Sequence, residues 1–266
     1  MFTVAFILST RRAGSTWLNA VLGSHAQAAG LGEYFRPFEM PGHVACRLCE
    51  ADGLSACSKL HGIETVELED AYAFAAQRLG KRVLIDCSKQ LHWPEYFMYQ
   101  RKIDARFIHL VRHPCGYVES ELRRRPAESA ETIAAEWAMQ NRNIETFIRD
   151  SGRPGYLASY DLLADFPEIY FPGLCRFLGL AYDPDALRYW EFEHHGLGGN
   201  GANSLYLRDR TVKEYVTGDD AYYDGLEARP LSADVCWQQR LTAREIAVAT
   251  ASDYAKEMAL RLAVSW

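Results

Sequence analysis

Apolar residues recur along the chain in two different periods. Three runs of strand length, Phe2 to Leu8, Lys81 to Asp86 and Ala105 to Val111, are apolar without clean alternation, as strands buried on both faces are. They predict a parallel sheet. Between and after them apolar positions fall at helical spacing: Trp17, Leu18, Val21 and Leu22; Ala71, Phe74 and Ala75 within 68–79; Ala130, Ile133, Ala134, Trp137 and Ala138; and again over 167–178. These helices supply the crossovers, and the chain reads as α/β and layered around a central parallel sheet. Thr242-Ala243-Arg244-Glu245 fits a capping box, in which Thr and Glu satisfy each other's backbone donors, and it opens a final helix through Met258 and Leu262. The stretch from His194 to Arg229 is aperiodic and rich in Gly, Asn, Asp and Tyr, and is expected to be a lid or substrate loop over the site. No repeat or linker divides the chain, so 1–266 is expected to form one domain.

Composition narrows the class. The 266 residues are 48% hydrophobic and 12% aromatic, which excludes a disordered, collagen-like or coiled-coil chain. The net charge of −6 is uneven: the first 133 residues carry 16 basic and 15 acidic groups, the remainder 13 and 20. A nucleic acid or an anionic bilayer usually meets a basic excess, so neither is expected as a partner, although a local anion pocket is allowed. Phe2 to Leu8 is too short to span a membrane, and Arg11 and Arg12 follow the run instead of preceding it as in a signal peptide. Seven scattered cysteines, an odd number, suit a reducing cytoplasm.

The turn Ser9-Thr10-Arg11-Arg12-Ala13-Gly14-Ser15-Thr16-Trp17 joins the first strand to the first helix. Backbone N–H groups and the helix dipole make such a junction an anion site. Gly14 permits a close turn, Ser15 and Thr16 offer hydroxyl donors, and Arg12 adds a charged fork. The plainer reading is an ordinary turn whose Ser and Thr are caps; the loop alone leaves both open. It departs from the nucleoside-triphosphate pattern G-x-x-x-x-G-K-[ST], because Ser9 stands at the first Gly and Ser15 at the Lys.

In the order Arg12-Ala13-Gly14-Ser15-Thr16-Trp17 the turn resembles the 5′-phosphosulfate loop of sulfotransferases that use 3′-phosphoadenylyl sulfate (PAPS), [KR]-[ST]-G-[ST]-[ST], with Ala13 a departure. Val111-Arg112-His113-Pro114-Cys115-Gly116-Tyr117-Val118-Glu119-Ser120 resembles the same family's 3′-phosphate motif, an Arg and a Pro at a strand end with a Ser eight residues after the Arg. Arg112 and Ser120 can grip one phosphate from two sides, since Pro114 stops the strand between them. Read singly, Arg112 would be a surface ion pair and Ser120 a solvated helix position. Asp86-Cys87-Ser88-Lys89 resembles the D-S-S-K strand end of bacterial and tyrosylprotein-type members, and Ser159-Tyr160-Asp161-Leu162-Leu163 their Y-E-D-L, whose Tyr lies by the adenine. Gly198-Gly199-Asn200 with Arg208 is similar to their G-N-x-x-R segment. The resemblance implies a P-loop NTPase-like three-layer sandwich. It also implies a nucleotide site of Arg11, Arg12, Ala13, Gly14, Ser15, Thr16, Trp17, Arg112, Ser120, Arg124, Tyr160 and Arg208, with PAPS as co-substrate and no metal required.

Sulfuryl transfer to a hydroxyl needs the acceptor proton removed and the charge on the leaving oxygen met. Gly32-Glu33-Tyr34-Phe35-Arg36 matches the G-E motif of carbohydrate and tyrosylprotein sulfotransferases, 21 residues after Arg12. The resemblance implies Glu33 as base, Arg12 and Lys89 at the leaving oxygen, and Arg36 orienting the acceptor. His61 and His92 compete on the substrate side, because cytosolic small-molecule sulfotransferases use a His, whose ordinary pKa suits the task. Cys46-x-x-Cys49, Cys57 and His61 have the residue types of a zinc knuckle, with free thiols or a local disulfide as alternatives.

The expected function is transfer of a sulfuryl group from PAPS to a hydroxyl of a small molecule, glycan or peptide. A non-catalytic nucleotide-binding module and a P-loop kinase are the alternatives. Arg12, Glu33 and Lys89 together argue against the first, and the missing Walker lysine against the second. The acceptor depends on variable loops such as 37–66 and 194–229.

Overall fold

A computed structural model describes residues 1–40, 42–199 and 233–264. Five strands, β1 (Phe2–Ser9), β2 (Ala28–Gly32), β3 (Val83–Asp86), β4 (Ile103–Val111) and β5 (Gly155–Ser159), pair in parallel in the order β2-β3-β1-β4-β5. The helices among them are α1 (Ser15–Gly23), α2 (Arg36–Glu39), α3 (Arg47–Ala51), α4 (Ala71–Leu79), α5 (His92–Phe97), α6 (Pro114–Arg124), α7 (Ala130–Ser151), α8 (Tyr160–Asp165) and α9 (Pro167–Phe177).

Central β1 explains the layering. Val4, Phe6 and Leu8 pack on one face with residues of α4, α5 and α7, among them Tyr72, Trp93, Phe97 and Ile144. Ala5 and Ile7 pack on the other, against Leu18 and Val21 of α1 and Phe171 and Leu174 of α9. Because successive strand residues point to opposite faces, an unbroken apolar run requires helices on both sides. Each buried Val, Leu, Ile or Phe side chain among these contributes about 1.5–3 kcal/mol. The result is a P-loop-like α/β fold, in which ligands bind outside the carboxyl ends of the strands, where the chain's crossovers diverge on either side of β1.

Two strands escape the apolar-run signal. β2 is Ala-Ala-Gly-Leu-Gly, and its glycines answer close neighbours: a Cβ at Gly30 would sit 2.7 Å from the Asn19 carbonyl oxygen of α1, and one at Gly32 would meet the Leu197 backbone. Asn19 Oδ1 in turn accepts the Gly32 N–H at 3.2 Å. β5 is short and half-exposed along its first residues. The capping box at Thr242 and Glu245 is formed as expected, but the helix it opens ends at Thr250. A second helix, Asp253–Leu262, restarts with Ser252 accepting from the Ala255 N–H, so Met258 and Leu262 belong to a separate helix. A cap of this kind starts a new helix because it supplies the partner its first free N–H groups lack. Of the expected lid, residues 200–229 lie outside the described residues, as does Arg208.

Candidate active site

The loop after β1 turns through two left-handed residues, Arg12 at φ 60° and Gly14 at φ 88°. That conformation is strained for Arg12 by roughly 1–3 kcal/mol, and residues held so tend to aim successive N–H groups into one concavity. Gly14 is required for a second reason, since a Cβ there would drive into the Tyr160 ring. No side chain caps the N-terminus of α1 among the described residues, which decides against the reading of Ser15 and Thr16 as caps. The first N–H groups of that helix remain available to an anion.

Arg112, at the end of β4 beside β1, closes the loop from the other side. Its Nη1 donates to the Arg12 carbonyl at 2.8 Å, and its guanidinium lies 5.4 Å from the centre of the Tyr160 ring. Trp17 meets that ring edge-on at 5.5 Å. The Arg112 side chain is 8% exposed and its Nη2 pairs with Asp234 Oδ2 at 3.1 Å, so the alternative of a surface ion pair for Arg112 does not hold. Burial pushes the Tyr160 phenol up to about 12, leaving it neutral. Ser120 is buried on α6, and Arg124 ends that helix half-buried. Pro114 opens α6 at the turn from β4, as the motif requires.

Glu33 follows β2 and sits between two cations. Lys89 Nζ donates to its Oε1 at 3.0 Å, and Arg36 Nε and Nη2 reach its Oε2 at 2.7 and 2.5 Å. Burial raises the Glu33 carboxyl, but Lys89 and Arg36 outweigh burial and hold it below the ordinary 4.5. Lys89, in a left-handed conformation at φ 66°, also reaches Ser15 Oγ at 3.4 Å and the Cys87 carbonyl at 2.9 Å. One ammonium group thus joins the carboxylate to the start of α1. Behind it Asp86, fully buried, accepts from Tyr72 Oη at 2.5 Å, the Ser88 N–H at 2.6 Å and Trp93 Nε1 at 3.0 Å, fixing the turn that carries Lys89.

His92 and His61 stand apart from this group. His92 is exposed and bonded to Glu39 at 2.7 Å; His61 is exposed, and its backbone carbonyl receives Arg78. Among the described residues no hydrogen bond or ion pair joins either ring to Glu33, Lys89 or the first loop. His61 is also absent from the cysteine cluster: Cys46, Cys49 and Cys57 gather around His195. The spacing after Cys57 suggested the nearer histidine, whereas the chain returns 138 residues later to supply the ring. Sequence reasoning also missed Asp234, which has no motif around it, and the part of Asp161, whose Oδ2 accepts the His113 N–H at 2.8 Å and steadies the turn after β4.

Comparison with known proteins places this geometry in a class. A profile described as the sulfotransferase family matches residues 5–184, and the chain belongs to that family. Its fold is similar to the sulfotransferase domain from the curacin biosynthetic pathway, with a TM-score of 0.59 at 19% identity over 100% of this chain and 99% of that one. It is also similar to the sulfotransferase domain from the Synechococcus PCC 7002 olefin synthase, with a TM-score of 0.56 at 25% identity over 94% of each. No match was found among curated protein sequences. Among the described residues no helix is long and apolar enough to cross a membrane.

Proposed function

We propose that the protein transfers a sulfuryl group from PAPS to a hydroxyl of a small molecule, glycan or peptide, releasing PAP, in a reducing cytoplasm. The observation that carries this reading is Lys89 Nζ, 3.0 Å from Glu33 Oε1 and 3.4 Å from Ser15 Oγ: a proton acceptor and the phosphate loop share one cation. When bound, PAPS supplies the activated sulfuryl group. The loop N–H groups, Arg12 and Ser15 face its 5′-phosphosulfate, Arg112 and Ser120 its 3′-phosphate, with Arg124 beside them, and Tyr160 and Trp17 its adenine. Glu33 takes the acceptor proton as the acceptor oxygen bonds to sulfur and the bond from sulfur to the phosphate oxygen breaks. The negative charge appears on that phosphate, where Lys89 and Arg12 meet it. As the Lys89 charge is drawn to the leaving phosphate, Glu33 loses a partner that depressed its basicity, so proton uptake and charge transfer assist each other. Arg36 holds the second Glu33 oxygen and orients the acceptor.

Calorimetry with PAP and with adenosine 5′-phosphosulfate, which lacks the 3′-phosphate, tests the nucleotide assignment. Arg112→Ala is expected to weaken PAP by at least tenfold more than adenosine 5′-phosphosulfate; equal losses would overturn it. A screen of hydroxyl acceptors with labelled PAPS then identifies the acceptor class.

A further inference from the structure

We propose that Cys46, Cys49, Cys57 and His195 bind one structural zinc ion. Zn–S bonds of about 2.3 Å and a Zn–N bond of about 2.0 Å at the tetrahedral angle put each sulfur about 3.5 Å from the nitrogen. The Sγ atoms of Cys46, Cys57 and Cys49 lie 3.5, 3.6 and 3.8 Å from His195 Nδ1, and all four atoms fall within 4.8 Å of one another. All three cysteines are buried and none is in a disulfide. Three thiolates and one imidazole in a tetrahedron suit zinc and leave magnesium and calcium, which take oxygen ligands, without a site.

The surroundings are those of ligated groups. The Ser58 N–H donates to Cys49 Sγ at 3.2 Å, and Ser58 Oγ lies 3.4 Å from the same sulfur. Such donors stabilise a thiolate. The other nitrogen of His195, Nε2, lies 3.7 Å from the Glu193 carboxylate, within ion-pair range but beyond hydrogen-bond length. With four protein ligands the coordination is closed, so the ion's role is structural and not catalytic. On binding, each cysteine enters as a thiolate and its proton passes to solvent.

The ion would clamp two segments that are distant in sequence. The cysteines lie on a stretch with little regular structure, α3 and a few turns, held by bonds such as Cys57 N–H to the Val44 carbonyl at 2.9 Å. His195 lies on a segment whose Leu197 bridges both Gly32 and Cys46 and whose carbonyl accepts the Glu33 N–H at 2.6 Å. Zinc therefore fixes the backbone beside Glu33 without touching its carboxylate.

The test is metal content of the full chain purified from zinc-supplemented culture. About one zinc per chain is expected, together with an X-ray absorption spectrum of three sulfurs and one nitrogen. Exchange for cobalt should give the intense visible bands of tetrahedral cobalt thiolate. His195→Ala is expected to lose most of the metal, and His61→Ala to retain all of it. If Cys46→Ser or Cys57→Ser fails to fold, the unmodified chain still decides the question. Zinc below a tenth of an equivalent without cobalt uptake, a disulfide among Cys46, Cys49 and Cys57, or metal lost in His61→Ala but kept in His195→Ala would each overturn the assignment. None of these readouts involves turnover, so they stand or fall separately from the sulfotransferase reading.

Discussion

The candidate active site around the loop after β1 and the cysteine cluster are built in opposite ways. The first is gathered at the carboxyl ends of the strands, with Arg12 in the turn after β1, Lys89 in the turn after β3, Arg112 just after β4 and Tyr160 opening α8 just after β5, so the sheet brings these residues to one end. The second lies on irregular segments that pack into the core beside Val4, Phe6 and Leu8 but outside the named strands. It depends on contact between 46–57 and 195–197, which the extended strand pairing does not supply. A rigid scaffold can hold a strained loop such as Arg12 at φ 60°; an irregular segment needs a local staple.

The largest expected effect bears on the sheet side. Glu33→Gln keeps shape and hydrogen bonding but removes basicity, and it should lower turnover by roughly a hundredfold to ten-thousandfold with PAP affinity and zinc content unchanged. Near-normal turnover in that variant with a collapse in His92→Ala would move the base to the exposed histidine.

Acid tests the core that carries the loop. Burial pushes His109 down to about 4, where its Nε2 meets Asn141 Oδ1 at 2.9 Å. Between that value and the ordinary 6.5 the unfolded chain binds a proton that the folded chain does not. Stability is therefore complete above 6.5 and falls as pH drops towards 4, by about 3 kcal/mol from this group. Urea midpoints at neutral pH and at mildly acid pH should show the fall, and His109→Gln should flatten it.

Gly14→Ala sharpens the contrast between the regions. The left-handed backbone and the Tyr160 ring both oppose a methyl group, at a cost of about 1–3 kcal/mol. PAP affinity should fall by about tenfold while zinc content stays whole, because nothing in the cysteine cluster rests on the loop. Loss of both together would show the two regions to be one cooperative unit. Thr242→Ala, remote from both, is the smallest: losing the cap should lower stability by about 1 kcal/mol and leave PAP and zinc binding unaltered.

The three apolar strands, the helical periodicity over 68–79, 130–138 and 167–178 and the capping box are legible because each rests on local pattern: buried strands must be apolar, and a helix repeats its apolar face along the chain. β2 is not, since its sequence answers close neighbours and not water. The final helical stretch is two helices, because the apolar periodicity continues across Ser252 while the helix itself stops and restarts there.

The sequence by itself determined the α/β class and the loop that follows the first strand, and it offered Glu33 and Lys89 separately as candidates, each from its own local motif. Only the tertiary structure decided that Lys89 bridges Glu33 to Ser15, that Asp234 meets Arg112, and that His195 completes the cysteine cluster in place of His61. The reason is the same in each case: the two partners are tens to well over a hundred residues apart, and their distance is set by how the sheet and its crossovers pack, which no local pattern records.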